Sequence, residues 1–400
     1  MESHGSLTGR LTRATAHLTG PVAVVDLDRF DANAAELLGR AGGLPVRLAT
    51  KSVRVRSLVD RALAAGFSGL MTTSLAEALW HAGHGARDAL VGYPSVDVAA
   101  LAELAADPRA RAAVTLMVDD VAQLALVERA LDDAGADPAG PPVQVCLDVD
   151  ASLRLRLGPL TLHVGTRRSP LHAPDDVARL AARVATTPGL HLRGLMTYEA
   201  QIAGLPDDSV AVRAMKRVSA RELLGRRDAV LTAVRDAVGR DVALVNAGGT
   251  GSLERSAADP SVTEVTAGSG LFVPATFDGY RAFRPRPAAF FGLDVVRVPG
   301  PGWATAYAGG YPASGPAGPS RLPRVVTPGW SLTRREGAGE VQTPLRGRHD
   351  AAPLAVGDRV WFRHAKAGEL MERFAAVHLV RGDQVTDVVP TYRGEAHTFA

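Results

Sequence analysis

Lysine is almost missing from this chain. Lys51, Lys216 and Lys366 are the only three, so 42 of the 45 basic residues are arginine. A sequence with this bias uses arginine wherever a plain surface cation suffices. A retained lysine therefore points to a need for a primary amine, which can deprotonate and condense with an aldehyde. Cysteine is scarcer still: Cys146 stands alone, which excludes an intramolecular disulfide framework and any multi-cysteine metal cluster and suits a reducing cytoplasm. Its setting in VQVCLDVD reads as a buried strand residue rather than a reactive thiol. No window reaches the ~18 apolar residues of a membrane helix, and the first twenty residues lack the apolar stretch of a signal peptide. A cytoplasmic protein without a membrane partner is expected. The formal net charge is only +3, and the basic residues form no run that would track a phosphate backbone, so nucleic acid is not an expected partner.

What the chain does have is length and apolar content. Four hundred residues, 46% of them hydrophobic, exceed one ordinary core and suggest a large barrel with a companion domain. Short apolar runs at 47–51, 69–73, 89–93, 114–118, 143–149, 192–198, 244–247 and 262–267 read as eight strands. Segments 54–65, 74–84, 120–134, 174–186 and 208–238 carry helical spacing between them. The fold class is α/β, with a (β/α)8 TIM-type barrel over 21–290. An earlier strand in PVAVVDLD, at 21–28, is expected to pair with the second domain. Residues 1–20 form an N-terminal segment. From 291 to 400, crowded Gly and Pro followed by short strand-like runs such as DRVWFRH and AAVHLV indicate a C-terminal β domain.

Chemistry gathers at the strand ends. Lys51 closes the first barrel strand, and the C-terminal strand ends of such barrels form the active-site floor. The glycine-rich segments NAGGTGS, after the seventh strand, and AGSG, after the eighth, occupy the usual phosphate corner, where backbone N–H groups approach phosphate oxygens. Gly248, Gly249, Thr250, Gly268, Ser269 and Gly270 are the candidate cradle. His163 and His172 read as loop histidines without a catalytic part.

A lysine on strand one opposite a phosphate cup on strands seven and eight is the layout of a pyridoxal 5'-phosphate (PLP) Schiff base. With PVAVVDLDRFDANAA, RLATKS, GLMTTSLAEA, LDVD, GLMTYEAQ, NAGGTGS and TEVTAGSGLF in order over about 18–275, the chain resembles the fold-type III PLP enzymes of the alanine racemase and D-threonine aldolase superfamily. EGAGEVQTPL and GDRVWFRHAKAGEL resemble the β domain of the D-threonine aldolase and D-serine dehydratase branch, including its bacterial amino acid deaminase/aldolase members. The resemblance implies that Lys51 carries PLP and that Arg168, or its neighbour Arg167, and Tyr198 face the cofactor. It also implies a homodimer in which the β domain closes the partner's site, and an amino acid as substrate. Metal-dependent members of the branch use a histidine and, two residues on, Cys or Asp; here His364 is followed by Lys366. A protonated lysine cannot ligate, so no metal site is expected and a divalent ion is disfavoured. His364 and Lys366 are instead expected to steer the substrate hydroxyl or carboxylate, with Glu369 as the counter-ion of Lys366. Gln201 stands where D-threonine aldolases carry a histidine for the β-hydroxyl proton, and an amide is no general base. The leading expectation is a PLP-dependent lyase, aldolase or dehydratase, on D-configured β-hydroxy amino acids. The alternatives are an amino acid racemase drawing a second base from Tyr307 or Tyr311 of a partner, a PLP-binding protein without turnover, and a phosphate-binding barrel without PLP.

Overall fold

The computed structural model describes residues 3–158, 160–281, 283–284 and 286–399. Eight parallel strands close a barrel in chain order: Val46–Ala49, Gly69–Thr72, Ala89–Val91, Val114–Val118, Val143–Asp148, Leu190–Thr197, Leu244–Ala247 and Glu264–Ala267. Their near-continuous apolar runs follow from burial on both faces, by the lumen inside and by helices outside. Gly194 shows how tightly the sixth and seventh strands approach: a Cβ there would lie 2.0 Å from the Leu244 carbonyl oxygen.

The crossovers lie close to where helical spacing placed them, at Arg56–Ala64, Leu75–Gly83, Val121–Asp133, Pro174–Thr186 and Val210–Val238. Side chains fix their starts. Ser74 and Ser209 cap two of them, and Asp120 and Gln123 form a reciprocal capping box on a third. Helix Val98–Ala106 escaped the sequence reading because VAALAELAA is apolar on nearly every face, which hides its period. Helix Leu27–Arg40 escaped it for another reason. The strand begun at Val22 stops at Asp26, whose carboxylate accepts the Arg29 N–H at 3.1 Å and caps a helix where extended chain was expected to run on to 28.

Strand Val22–Asp26 joins the second domain, as its place before the barrel suggested. It pairs antiparallel with Ala289–Gly300 and parallel with Ala376–Arg381, inside a nine-stranded sheet. Residues 4–14 form a helix whose Leu7, Leu11 and Ala14 pack with Val22, Val24, Phe290, Trp361 and Val380. The β sheet is thus stitched from both ends of the chain.

The barrel end away from the strand termini is closed by ions. Arg47, fully buried, donates to Glu264 at 2.6 Å and to Asp88 at 2.8 Å, and Arg193 reaches Asp88 at 2.7 Å. Burial alone would raise the Asp88 carboxyl, but the bonds from Arg193 and Arg47 hold it far below the usual carboxylate range. Cys146 is fully buried in the fifth strand, and burial pushes its thiol well up, so it is a core side chain.

Candidate active site

The chain leaves the first barrel strand through one 3-10 turn, Thr50–Ser52, pinned by the Thr50 hydroxyl donating to the Met71 carbonyl at 3.0 Å. Lys51 sits in this turn, just past the strand rather than on its last residue. Its Nζ enters a cavity of about 210 Å³ at the C-terminal strand ends and donates to the Tyr93 hydroxyl at 2.6 Å. Lys51, Arg168 and Lys366 line this cavity, and no carboxylate side chain does among the described residues. A site of this charge suits a ligand with more than one anionic group.

The glycine loops form part of the wall, where Gly248, Gly249, Thr250, Gly268 and Ser269 line the cavity. A Cβ on Gly268 would lie 2.5 Å from the Ala49 carbonyl oxygen and 2.9 Å from Ser52 Cβ, so glycine lets the eighth strand's loop press onto the lysine turn. Not every backbone donor there is free. Gly248 N–H goes to the buried Glu199 carboxylate at 3.1 Å, and Gly249 N–H to the Ser252 hydroxyl at 3.1 Å. Gly270 lies behind the wall, its N–H bonded to Thr250 Oγ1 at 3.1 Å; expected in the cradle, it supports the cradle instead. Thr250, Ser269 and Ser52 all line the cup, and the Ser52 and Ser269 hydroxyls lie 2.9 Å apart.

The arginine alternative resolves by position, since Arg168 lines the cavity and Arg167 does not. Tyr198 lines it too, packed near Gly249, and burial raises its phenol. Gln201 is turned away, donating to the Ala151 carbonyl at 2.7 Å. His163 and His172 face the Thr166 and Ser152 carbonyls outside the cavity.

The β domain contributes one segment to this face. Gly368 lies so close to the lysine turn that a Cβ would stand 2.8 Å from the Lys51 carbonyl oxygen, and this contact brings Lys366 to the cavity rim. Lys366 Nζ donates to Ser314 Oγ at 3.0 Å. Glu369, expected as its direct counter-ion, bonds Ser314 instead, from both N–H and hydroxyl at 2.8 and 2.6 Å. The serine thus stands between the two charges. His364, expected beside the substrate, is 3% exposed, lines an adjoining cavity and sets its ring edge-on to Phe272. Burial, then the Arg363 charge, push its imidazole down to about 3. Neither ring nitrogen has a partner at hydrogen-bond geometry, so it is a neutral group behind Lys366. Tyr311 packs against Phe291 and Phe374 of its own chain, whereas Tyr307 is 47% exposed.

Sequence reasoning missed Tyr93. It follows the third barrel strand by two residues and meets the criterion that singled out Lys51, a polar group at a C-terminal strand end. The third lysine, Lys216, serves structure: it binds Asp207 at 2.8 Å and the Leu205 carbonyl beneath Tyr280, itself a cavity residue.

Residues 25–275 match the family model described as alanine racemase, N-terminal domain. The chain belongs to that family. A D-threonine aldolase from Arthrobacter sp is 27% identical over 278 residues, 67% of this chain and 66% of that enzyme, so the alignment spans just under two thirds of the relative. Among solved structures, D-threonine aldolase from Filomicrobium marinum superposes with a TM-score of 0.79 at 23% identity, over 95% of this chain and 96% of that one. D-threo-3-hydroxyaspartate dehydratase from Delftia sp. HT23 gives 0.71 at 23% identity, over 94% and 97%. Both share the barrel and the β domain with this member of the family.

The donor set discriminates between the two groups such a fold implies. A lysine amine facing a glycine-walled, hydroxyl-lined cup in a cationic cavity fits PLP. A divalent ion fits poorly, because His364 is followed by Ala365 and the Lys366 ammonium, and no cluster of three His, Cys, Asp or Glu stands ready among the described residues.

Proposed function

We propose that this chain is a PLP-dependent lyase of D-configured β-hydroxy amino acids, with the cofactor on Lys51. The observation that carries the reading is that the Lys51 amine and the glycine cup line one cavity, which has three cations and, among the described residues, no carboxylate. The named relatives, an aldolase and a dehydratase of such substrates, agree with it.

In this reading Thr250, Ser269 and Ser52, framed by Gly248, Gly249 and Gly268, would hold the phosphate, and Arg168 and Tyr198 line the same cavity. Bound there, PLP supplies the electron sink that weakens the bonds at the substrate's α-carbon. The chain's own groups do the rest. Lys51 would be the base for the α-proton. Arg168 offers a fixed charge to the α-carboxylate. Lys366 takes the place of a metal as resident cation, presenting an ammonium held by Ser314 to the β-hydroxyl or to a second carboxylate. Burial, with Lys51 and Arg168 nearby, lowers its pKa, and Glu369 opposes the shift. The site thereby works without a divalent ion. The same reading makes the protein cytoplasmic and a homodimer whose β domain borders the partner's cavity.

The test is spectral first. Protein saturated with PLP should show a long-wavelength band that borohydride abolishes, and Lys51→Ala should lack it. Incubation with D-threonine, D-serine and D-3-hydroxyaspartate, with and without EDTA, should then yield aldehyde and glycine, or 2-oxo acid and ammonia. Absence of all these products ends the lyase reading, and solvent deuterium at Cα with loss of optical activity would replace it with racemisation.

A further inference from the structure

Six residues with ionisable or permanently charged side chains line the cavity: Lys51, Tyr93, Arg168, Tyr198, Tyr280 and Lys366. A hydrogen bond joins two of them: Lys51 Nζ donates to the Tyr93 hydroxyl at 2.6 Å. From this contact we infer that Tyr93 is the proton partner of Lys51, taking the proton that the ammonium must shed before its amine can act, and returning it afterwards. The inference rests on Lys51 being the cofactor lysine, and it concerns a step that reading leaves open: what keeps that amine neutral when needed.

The three cavity tyrosines are not equivalent. Tyr280 spends its hydroxyl on the Ala203 carbonyl at 2.7 Å, and burial raises it. Tyr198 is raised by burial as well, and no hydrogen bond ties its hydroxyl to a cation. Tyr93 stands between opposed influences. Burial works against its ionisation, but the Lys51 charge and hydrogen bond, then Arg168, outweigh burial and bring the phenol below its ordinary range. The charged groups facing it come from separate elements: Lys51 from the first strand's turn, Arg168 from the loop after a hairpin inserted behind the fifth strand (Leu153–Leu157 paired with Leu160–Val164), and Asp148 from the end of the fifth strand. Tyr198, from the sixth strand, also senses it. Asp148, pushed to about 7 by burial and by Asp119, is the one acid in the set and limits how far Tyr93 falls.

The transfer balances without an outside reactant. An ammonium N–H bond breaks and a phenol O–H bond forms. An ammonium–phenolate pair becomes a neutral amine beside a neutral phenol, with no change in net charge. Among the described residues, the side-chain hydrogen bond of Lys51 Nζ goes to Tyr93, while His364 lines the adjoining cavity instead.

The experiment separates this inference from the reading beneath it. Tyrosinate absorbance of the cofactor-free protein is titrated in the wild type, Tyr93→Phe, Tyr198→Phe and Lys51→Met. One of the six tyrosines should ionise ahead of the rest; that early step should vanish in Tyr93→Phe, persist in Tyr198→Phe and move to higher pH in Lys51→Met. In the PLP-loaded enzyme, Tyr93→Phe should keep the borohydride-sensitive band while kcat falls ~100-fold, the scale of a lost acid–base group, and the pH profile of kcat moves. An early tyrosine that survives in Tyr93→Phe, or a Tyr93→Phe enzyme with wild-type kcat and pH profile, overturns the inference. A wild type without the band would instead remove the cofactor reading, while the cofactor-free titration still judges the Lys51–Tyr93 pair.

Discussion

At the scale of single residues, the scarcity of lysine carried more information than any motif. Two of three lysines line one cavity, and the third props a residue of its wall. Lys366→Met keeps the bulk of the side chain and removes its charge. Loss of one charge-assisted contact to substrate costs ~1.5–3 kcal/mol, so kcat/KM should fall about 10–100-fold, mainly through KM, without gaining sensitivity to EDTA. Steady-state kinetics on D-3-hydroxyaspartate, where a second carboxylate is present, should show the larger loss. A Lys366→Met enzyme with unchanged KM would exclude Lys366 from the substrate. Gly268→Ala should act through sterics. Its Cβ meets backbone at 2.5 Å, which cannot yield cheaply, so about 1–3 kcal/mol of stability should be lost, together with PLP affinity, measurable by denaturant titration and by the absorbance band.

At the scale of elements, the two barrel ends divide the labour of function and stability. The strand termini carry the cavity, and the other end carries the Arg47, Glu264, Asp88 and Arg193 cluster. Asp88→Ala strips buried Arg47 of one partner and should cost ~3 kcal/mol, the low end for a broken buried pair because Asp88 keeps some solvent contact, while the PLP band is retained. Acid should act on the same end. The Asp88 pKa is depressed, so its contribution is whole above the unfolded carboxyl value of ~3.9 and is lost as pH falls through the lower, folded value. Histidine sets an earlier loss. Burial holds His364 down at about 3 and His81 at about 4. Both must charge on unfolding, so stability should begin to fall below ~6.5. Thermal midpoints recorded from pH 7.5 to 4.5 should show that decline, reduced in His364→Phe; a flat wild-type curve would contradict it.

At the scale of the whole molecule, the inserted hairpin and the β domain leave apolar side chains in solvent. Leu160 is 71% exposed, Leu162 51% and Tyr307 47%. These suit burial in a dimer, and light scattering should return twice the 41.8 kDa of one chain at micromolar concentration; a concentration-independent monomer would contradict the proposed assembly. The eight barrel strands, the five crossover helices named above and the early strand assigned to the second domain were legible in the sequence, because period and apolar run length are local properties. Local pattern failed where contrast was low, as in VAALAELAA, and where Asp26 ended a strand by capping a helix. The candidate site was legible in its parts. Lys51 and the glycine loops could be named from residue type and strand position, and Arg168 and Tyr198 from the family resemblance. The sequence alone determined that an amine, a glycine cup and a mainly cationic set of candidates would meet at one barrel end, since a parallel barrel sends the C-terminal end of every strand to the same face. Only the tertiary structure decided which neighbours each has: that Tyr93 takes the Lys51 hydrogen bond, that Ser314 comes between Lys366 and Glu369, and that His364 lies behind the cavity. Contacts between strand ends and a separate domain depend on side-chain direction and loop path over hundreds of residues, which no local spacing encodes.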